Sequence, residues 1–382
     1  MGSVTDYRAA GERPVSLAQR TRRSPMRRHL IAATILVCAA GLAWLGYVRS
    51  GRPRVLSRPE GEVVVPPAGR PGAVVWVEDA PSGPRLMLSR RWGSPRALLS
   101  ASITGAVVEG GKALVAQQDG AQGRIASVDL STGNLKALVS VKGRAQQLAA
   151  AGGTVAWLEE RDASIPAAPF VVAAGPVTVI RSMEQEPGPV SLVAVLTPDP
   201  APLVTRAPRS GAAQMLGISG SRVYWLERQG REVQTTVLRS CPVTGGQPQT
   251  IASEFGSQQA VLLSDAVLWT SYSQEAQSNE GARSVKRLPL GGGEPQVIAD
   301  WLGRDTVLLG SGTRAYAQEK GVLWSLGDRR GEQRVLYTRP GLVGAAHAVG
   351  DDEYLVLLEG KKLAIAERPL SWWARIRHVL RG

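Results

Sequence analysis

The histidines decide whether nucleophilic catalysis is feasible, because a serine or cysteine nucleophile usually needs an imidazole as its general base. The chain has three: His29, His347 and His378. His29 and His378 adjoin an apolar segment and a basic terminal segment, whereas His347 falls in a predicted strand, where a packed or edge histidine is the ordinary interpretation. The chain therefore has too few histidines in its body to make a Ser-His-Asp or Cys-His arrangement plausible. We expect no catalytic residue and no enzymatic activity.

The acidic residues form one dense cluster, Asp351, Asp352 and Glu353. Calcium would suit such a cluster, but the spacing of an EF-hand loop is absent, and a solvated turn is the favoured interpretation. Glu159 and Glu160 are adjacent on a predicted strand and point to opposite faces, so they cannot flank one glycosidic bond. Glycine-rich runs lie between strands as hairpin turns and do not open a helix. We expect neither a metal nor a cofactor.

A repeated strand organises most of the chain. Short β-type runs such as GTVAWLEE (153–160) and SRVYWLER (221–228) recur after turn residues. Aligned on one slot, they follow each other at spacings of 40, 41, 68, 44, 48 and 39 residues, close to the length of a four-stranded propeller blade. The slot is occupied by Trp76, Ala116, Trp157, Trp225, Trp269, Ala317 and Val356.

The rest of each unit also repeats, with an apolar strand before the run and two strands after it. The first strands include QQLAAA (146–151), QMLGIS (214–219) and QAVLLS (259–264). We therefore predict an all-β chain with a β-propeller over residues 53–368, of seven blades, with six or eight as alternatives. Because RVLSRPEG (54–61) matches RVLYTRPG (334–341), residues 53–58 are predicted to complete the last blade and to remove exposed sheet edges.

Two features of the repeats suggest where ligands could bind. The tryptophans of the common slot could form a stacking platform for sugars, but packing between neighbouring blades is favoured. An insertion over residues 161–205, rich in Ala, Pro and Val, enlarges the third unit. Long insertions in repeat proteins often form the binding face, and a decorative hairpin is the equally weighted alternative.

The repeats over 223–252 and 267–299 resemble bacterial propellers of the TolB and YWTD-like type, through VYWLERQG, LRSCPVTGGQPQTIA and VKRLPLGGGEPQVIA. This resemblance implies a fold more than an activity, and families of this kind usually bind proteins or peptides. SVDLSTGNLKA (127–137) also resembles the repeat of quinoprotein-like propellers through Asp129, Thr132 and Gly133. Because no other unit repeats that motif, we interpret it as a local turn and expect no quinone.

The N-terminal segment is predicted to be a transmembrane helix over residues 29–48, preceded by a disordered cytoplasmic tail over 1–28. Nineteen residues from Leu30 to Val48 carry no charge, and Trp44 and Tyr47 lie near their far end, where aromatic rings prefer the interface. A cleaved signal peptide or a lipoprotein signal at Cys38 is an alternative. Every one of these interpretations exports the rest of the chain.

The C-terminal segment, residues 369–382, is predicted to be an amphipathic helix. Helical spacing places Trp372 and Trp373 on one side and Arg375, Arg377 and Arg381 on the other. Such a helix suits a membrane interface, and a helix packed against the propeller is the alternative. Trp44, Tyr47 and these five residues are the predicted membrane-interface residues.

The net charge of +13 is concentrated at the ends of the chain: residues 1–58 carry +9 and residues 370–382 carry +3. The nearly neutral body argues against nucleic-acid binding, and the terminal charge favours contact with membrane lipid. The predicted function is that of a membrane-anchored, exported propeller that binds a protein partner or acts as a scaffold of the cell envelope. The alternative is a sensor that binds an envelope glycan or another small ligand, or a hydrolytic enzyme with an axial site.

Overall fold

The structure of the protein is a computed structural model. It describes residues 34–41, 54–70, 73–90, 94–120, 122–161, 190–196, 204–207, 213–229, 235–255, 259–272, 283–303, 305–319, 321–338, 354–359 and 362–367. The chain divides into two compact units, Met1–Ser50 and Gly51–Gly382.

The predicted transmembrane helix is not found among the described residues of the first unit. Its described residues, 34–41, are α-helical. Within the ranges given above, no helix is long and apolar enough to cross a membrane. The predicted single-pass topology, with a cytoplasmic N-terminus and an exported propeller, is therefore wrong.

The second unit is built from β-strands. In its described residues, 27 strands form six four-stranded sheets and one three-stranded sheet. The strands are β1 Arg54–Ser57, β2 Glu62–Arg70, β3 Ala73–Ala80, β4 Gly83–Arg90, β5 Arg96–Ser100, β6 Ile103–Glu109, β7 Lys112–Asp119, β8 Gln122–Asp129, β9 Leu135–Val141, β10 Arg144–Ala151, β11 Thr154–Arg161, β12 Val190–Leu196, β13 Val204–Ala207, β14 Gln214–Ser219, β15 Arg222–Gln229, β16 Thr235–Pro242, β17 Gln249–Phe255, β18 Ala260–Leu262, β19 Ala266–Tyr272, β20 Arg283–Pro289, β21 Gln296–Leu302, β22 Val307–Ser311, β23 Arg314–Glu319, β24 Val322–Leu326, β25 Arg334–Thr338, β26 Tyr354–Glu359 and β27 Lys362–Glu367.

Consecutive strands pair as antiparallel neighbours, as expected for strands joined by short turns. Sheets 1 to 6 comprise β2–β5, β6–β9, β10–β13, β14–β17, β18–β21 and β22–β25, and sheet 7 comprises β26, β27 and β1. The first strand of each of sheets 1 to 5 contacts the first strand of the next sheet, and β2 also contacts β26. These first strands are called the inner strands.

The last sheet combines strands from the two ends of the unit. β1 pairs with β27, with Arg54 opposite Ile365 and Val55 opposite Ala364. The predicted role of residues 53–58 in completing the last sheet is confirmed by this pairing. Six four-stranded sheets each follow the predicted order of the repeat, so the all-β prediction is confirmed as well.

The core lies between neighbouring sheets. Trp157 packs against sheet 2, Trp225 against sheet 3 and Trp269 against sheet 4. These three rings and that of Trp76 are at most 2% exposed. The packing interpretation of the tryptophan slot is confirmed, and no surface platform is available to a sugar at these four positions.

The register corrects one position of the repeat. Trp76, Trp157 and Trp225 are each the fourth residue of their strand, and the fourth residue of β7 is Val115. Val115 packs against sheet 1, whereas Ala116 packs against sheet 3. Val115 therefore occupies the slot that the sequence alignment gave to Ala116. Both residues are fully buried, so apolar–polar alternation could not distinguish them.

The predicted insertion over 161–205 is narrower than expected. β12 and the start of β13 fall inside it, and both belong to the ladder of sheet 3. Val193 pairs with Leu158 on one side and with Thr205 on the other. The additional sequence is thereby reduced to residues 162–189, between the second and third strands of the sheet.

Candidate functional site

Polar side chains from several sheets lie at one end of the strands. Inner strands begin where second strands end, as the pairs Glu62–Asp79 and Arg144–Glu160 show. We call this end, where third strands also begin, the mouth end. Side chains placed there by different sheets surround the start of the inner strands, which is where a propeller-like fold would admit a ligand to its axis.

Three inner strands carry glutamine at the same register position. Gln146 lies opposite Leu158 and Gln214 lies opposite Leu226, each one residue beyond the tryptophan slot. The carbonyl of Gln259 accepts a 3.0 Å hydrogen bond from the amide of Thr270, which follows Trp269 and gives Gln259 the same position in sheet 5. Gln214 is exposed, and Gln146 and Gln259 are half-buried. We call these three residues the glutamine row.

The other sheets place small or apolar residues at this position. They are Val65 in sheet 1, Gly105 in sheet 2 and Val307 in sheet 6. The polar character of the mouth end is therefore concentrated in sheets 3, 4 and 5. Such asymmetry within a repeated framework is not required by packing, because sheets 1, 2 and 6 are built without it.

At the mouth end, the same three sheets have the longest connections between their second and third strands. Between second and third strands, sheet 3 has 28 residues, sheet 4 has five and sheet 5 has ten, whereas the corresponding connections of sheets 1, 2 and 6 have two each. Long connections on one face of a repeat protein often mark its binding face. The glutamine row and the long connections thus point to one sector of the mouth end.

Hydrogen bonds between sheets fix the inner strands around this sector. Gln147 Oε1 accepts a 2.9 Å bond from the amide of Met215, and Gln259 Oε1 accepts a 2.8 Å bond from the amide of Leu308. The hydroxyl of Thr104 donates to the carbonyl of Ala145. Each bond joins one sheet to the next, so the starts of the inner strands are held at defined distances from one another.

β-bulges interrupt the inner strands of sheets 1 to 4 near the mouth end. The register shifts between Val63 and Val65, Ile103 and Gly105, Gln146 and Ala149, and Met215 and Gly217. A bulge changes the direction of the side chains that follow it and is frequent beside functional sites. The described inner strands of sheets 5 and 6 pair without such a shift.

A belt of buried polar residues lies just beneath this end, two residues after the tryptophan slot. Its members in sheets 1 to 5 are Glu78, Gln117, Glu159, Glu227 and Ser271, all no more than 5% exposed. Buried carboxylates are costly unless they are paired. The hydrogen bonds of each member therefore decide whether the belt is structural or chemical.

In sheet 1, Glu78 is saturated by its neighbours. Its Oε1 accepts bonds of 2.8 and 2.6 Å from Nε and Nη2 of Arg85, and its Oε2 accepts a 3.2 Å bond from Trp76 Nε1. Arg85 Nη2 also contacts Glu60, at 2.7 Å. These carboxylates, Glu78 first, raise the pKa of Arg85 above its ordinary value.

The other belt residues are engaged in similar ways. Glu227 accepts a 2.9 Å bond from Trp225 Nε1 and a longer one from Arg239, and Gln117 accepts a 2.5 Å bond from Arg124. The hydroxyls of Ser271 and Ser284 lie 3.1 Å apart. In sheets 1, 2, 4 and 5 these bonds connect neighbouring strands of one sheet, so the belt is structural there. The amides of the glutamine row are the more suitable groups for binding a ligand.

The turn at Asp129 is structural too. Its carboxylate accepts 2.8 Å bonds from the amides of Ser131 and Thr132 and further bonds from their hydroxyls, and these bonds hold the pKa of Asp129 well below its usual range. Gly133 has a φ of 79°, a conformation that glycine adopts readily. The interpretation of the quinoprotein-like motif as a local turn is confirmed.

The predicted membrane-interface residues, namely Trp44, Tyr47, Trp372, Trp373, Arg375, Arg377 and Arg381, lie outside the described residues. His347, the acidic cluster at 351–353 and the terminal helix over 369–382 lie outside them as well. Among the residues that are described, no group of three or more His, Cys, Asp or Glu side chains could hold a metal ion.

Sequence reasoning missed the glutamine row, although its signal was present. The three quoted first strands QQLAAA, QMLGIS and QAVLLS all begin with glutamine. A polar residue at the start of a strand is common for reasons of solvation alone. Only the register, which places the three residues at one position in consecutive sheets, distinguishes the row from ordinary strand ends.

Comparison with known proteins identifies the fold. No family model and no curated protein matches the chain. An oligogalacturonate lyase from Vibrio parahaemolyticus is similar in structure, with a TM-score of 0.58 and 9% sequence identity over 83% of this chain and 94% of that one. An acylaminoacyl peptidase from Pyrococcus horikoshii gives a TM-score of 0.56 and 13% identity over 85% of this chain.

These similarities show a β-propeller fold and, at such low identity, no more than the fold. This chain covers only 55% of the peptidase chain. TolB from Acinetobacter baumannii is also matched, with a TM-score of 0.41 at 11% identity, too low for an argument about this chain. The predicted propeller is supported, whereas the prediction that the chain is not an enzyme is overturned, because both of the better matches are to enzymes.

Proposed function

We propose that this propeller binds a hydroxyl-rich ligand, an oligosaccharide, in the sector of the mouth end formed by sheets 3, 4 and 5. The observation that carries the proposal is the glutamine row: Gln146, Gln214 and Gln259 occupy one register position in three consecutive sheets. The long connections of the same sheets support the same location.

The chemistry of the row suits sugar hydroxyls. A carboxamide donates two hydrogen bonds and accepts others, and a hydroxyl group likewise donates and accepts. Neutral amides do not require an ionic partner, and their desolvation on binding costs less than that of a charged group. Arg144, exposed at the start of β10, adds one cation that could pair with a carboxylate on an acidic sugar. Neutral and acidic oligosaccharides are therefore both suitable probes.

The comparison supports the choice of probes. One similar propeller is named as an oligogalacturonate lyase and is matched over 94% of its length, so a propeller of this size is compatible with an acidic oligosaccharide. That likeness concerns the fold, and the proposal for this chain depends on its own glutamines.

The test is a calorimetric titration of the full chain with tetragalacturonate and with cellotetraose. We expect binding of at least one probe and a loss of about tenfold in affinity for Gln214→Ala, or about 1.4 kcal/mol. Gln296→Ala is the matched control, because Gln296 is exposed at the start of β21, at the opposite end. New reducing ends or unsaturated products in the same mixtures would show that the bound oligosaccharide is also cleaved.

Two results would contradict the proposal: no binding of either probe by the wild-type chain, or equal losses for Gln214→Ala and Gln296→Ala. The protein-binding interpretation, which was the main prediction from the sequence, is the second candidate function and stays a prediction. A pull-down with the full chain that returns a stoichiometric protein partner, together with failed sugar binding, would favour it.

We also propose that the sheets close into a ring of seven blades. Support comes from the contacts between consecutive inner strands, from the contact of β2 with β26 and from the pairing of β1 with β27. A density map of the full chain with sheets 6 and 7 in contact would bear this out, and a gap between them would contradict it.

A further inference from the structure

Gln147 has a backbone conformation that its residue type disfavours. Its φ is 50°, in the left-handed region, and every other described residue with a positive φ is glycine. A side chain in this region crowds the following carbonyl. Glycine would adopt the conformation freely, so stability alone would favour glycine here. A glutamine at such a position indicates that its side chain has a function.

The side chain of Gln147 makes a contact that glycine could not make. Its Oε1 accepts a 2.9 Å bond from the amide of Met215, 68 residues further along the chain. Met215 directly follows Gln214, and Gln147 directly follows Gln146. The bond therefore links the residues that directly follow Gln146 and Gln214, and it connects sheet 3 with sheet 4.

The surroundings of Gln147 are adapted to this conformation. The bulge between Gln146 and Ala149 lies at this residue. On the side of sheet 2, a Cβ added to Gly105 would lie 3.2 Å from the Gln147 amide nitrogen, so glycine at 105 leaves the room that the bulge needs. Gln147 itself is exposed. Burial therefore does not explain why the conformation is retained.

We infer that Gln147 is a positioning residue, which sets Gln146 and Gln214 at the spacing that the ligand requires by bonding to the Met215 amide across the two sheets. This inference rests on the proposed function and deepens it. A side-chain bond to a backbone amide is a short and directional constraint. Without it, the inner strands of sheets 3 and 4 would lose one of the bonds that fix their separation.

The test uses Gln147→Gly and Gln147→Glu in the full chain. Gln147→Gly keeps the left-handed backbone but removes the acceptor, whereas Gln147→Glu keeps an acceptor. We expect Gln147→Gly to bind tetragalacturonate or cellotetraose, whichever the wild type binds, about tenfold more weakly. Its melting temperature should fall by no more than about 2 °C. Hydrogen exchange of the Met215 amide should accelerate in Gln147→Gly and stay slow in Gln147→Glu.

The outcomes separate this inference from the proposed function. Wild-type binding with unchanged affinity in Gln147→Gly would overturn the inference alone. A fall in melting temperature of more than about 2 °C in Gln147→Gly would show a stabilising role and also overturn it. A wild-type chain that binds neither probe would overturn the proposed function, and the positioning role with it.

Discussion

Replacing Glu78 with alanine should destabilise the propeller unit strongly. The carboxylate is 1% exposed and accepts two bonds from Arg85 and one from Trp76. Removing one partner of a buried ion pair typically costs 3–5 kcal/mol. Because the Arg85 side chain is 20% exposed and keeps its contact with Glu60 at 2.7 Å, the lower end applies. We expect a loss of about 3 kcal/mol, or a fall in melting temperature of roughly 6 °C.

The chain offers a matched control for this measurement. Glu60→Ala removes the other carboxylate on Arg85, but the Glu60 side chain is 64% exposed, and exposed ion pairs contribute at most about 1 kcal/mol. Urea denaturation followed by tryptophan fluorescence would give both values, since Trp76 itself lies beside Glu78. If Glu78→Ala costs no more than Glu60→Ala, the belt does not stabilise the fold and this reasoning is refuted.

Three further predictions concern single side chains. Trp225→Phe should cost about 1–2 kcal/mol more than Trp157→Phe in urea denaturation, because Trp225 Nε1 donates to a carboxylate whereas Trp157 Nε1 has no partner among the described residues; equal costs would contradict this. Gly217→Ala, with a φ of 148° and a side chain 2.9 Å from the added Cβ, should lower stability by about 1–3 kcal/mol, whereas Gly111→Ala, with open space around it, should change it by less than about 0.5. Asp129→Asn should reduce the loss of folding stability at acid pH. The folded-state pKa of Asp129 is depressed, so the carboxylate stabilises the fold above its ordinary pKa of 3.8, and this stabilisation is lost as the pH falls below that value. If Asp129→Asn and the wild type lose the same stability between about pH 5 and pH 2, the last prediction is refuted.

The repeat made the sheets predictable from sequence. The spacing of the tryptophan slot located consecutive units, and the likeness between 54–61 and 334–341 located β1 in the last sheet. The register within sheet 2 was not predictable in the same way. Val115 and Ala116 are both apolar and both fully buried, so the period-two signal that fixes a strand's faces is missing there.

The candidate site was less predictable than the fold. The glutamines were visible, but their common position depends on pairings such as Gln146 with Leu158 and Gln214 with Leu226, which no local pattern specifies. The conformation of Gln147 arises from a bulge and from glycine at 105, far away in sequence. The membrane prediction depended on hydropathy alone, and among the described residues no helix is long and apolar enough to cross a membrane.

Hydrogen–deuterium exchange of the full chain with and without a saturating oligosaccharide tests the location of the proposed site most directly. Binding at the glutamine row should slow exchange at the starts of β10, β14 and β18, because ligand contacts restrict local opening there. The starts of β2, β6 and β22, which lack the glutamines, should change little and serve as internal controls. Protection confined to the opposite end of the sheets, or spread evenly over all inner strands, would contradict the account.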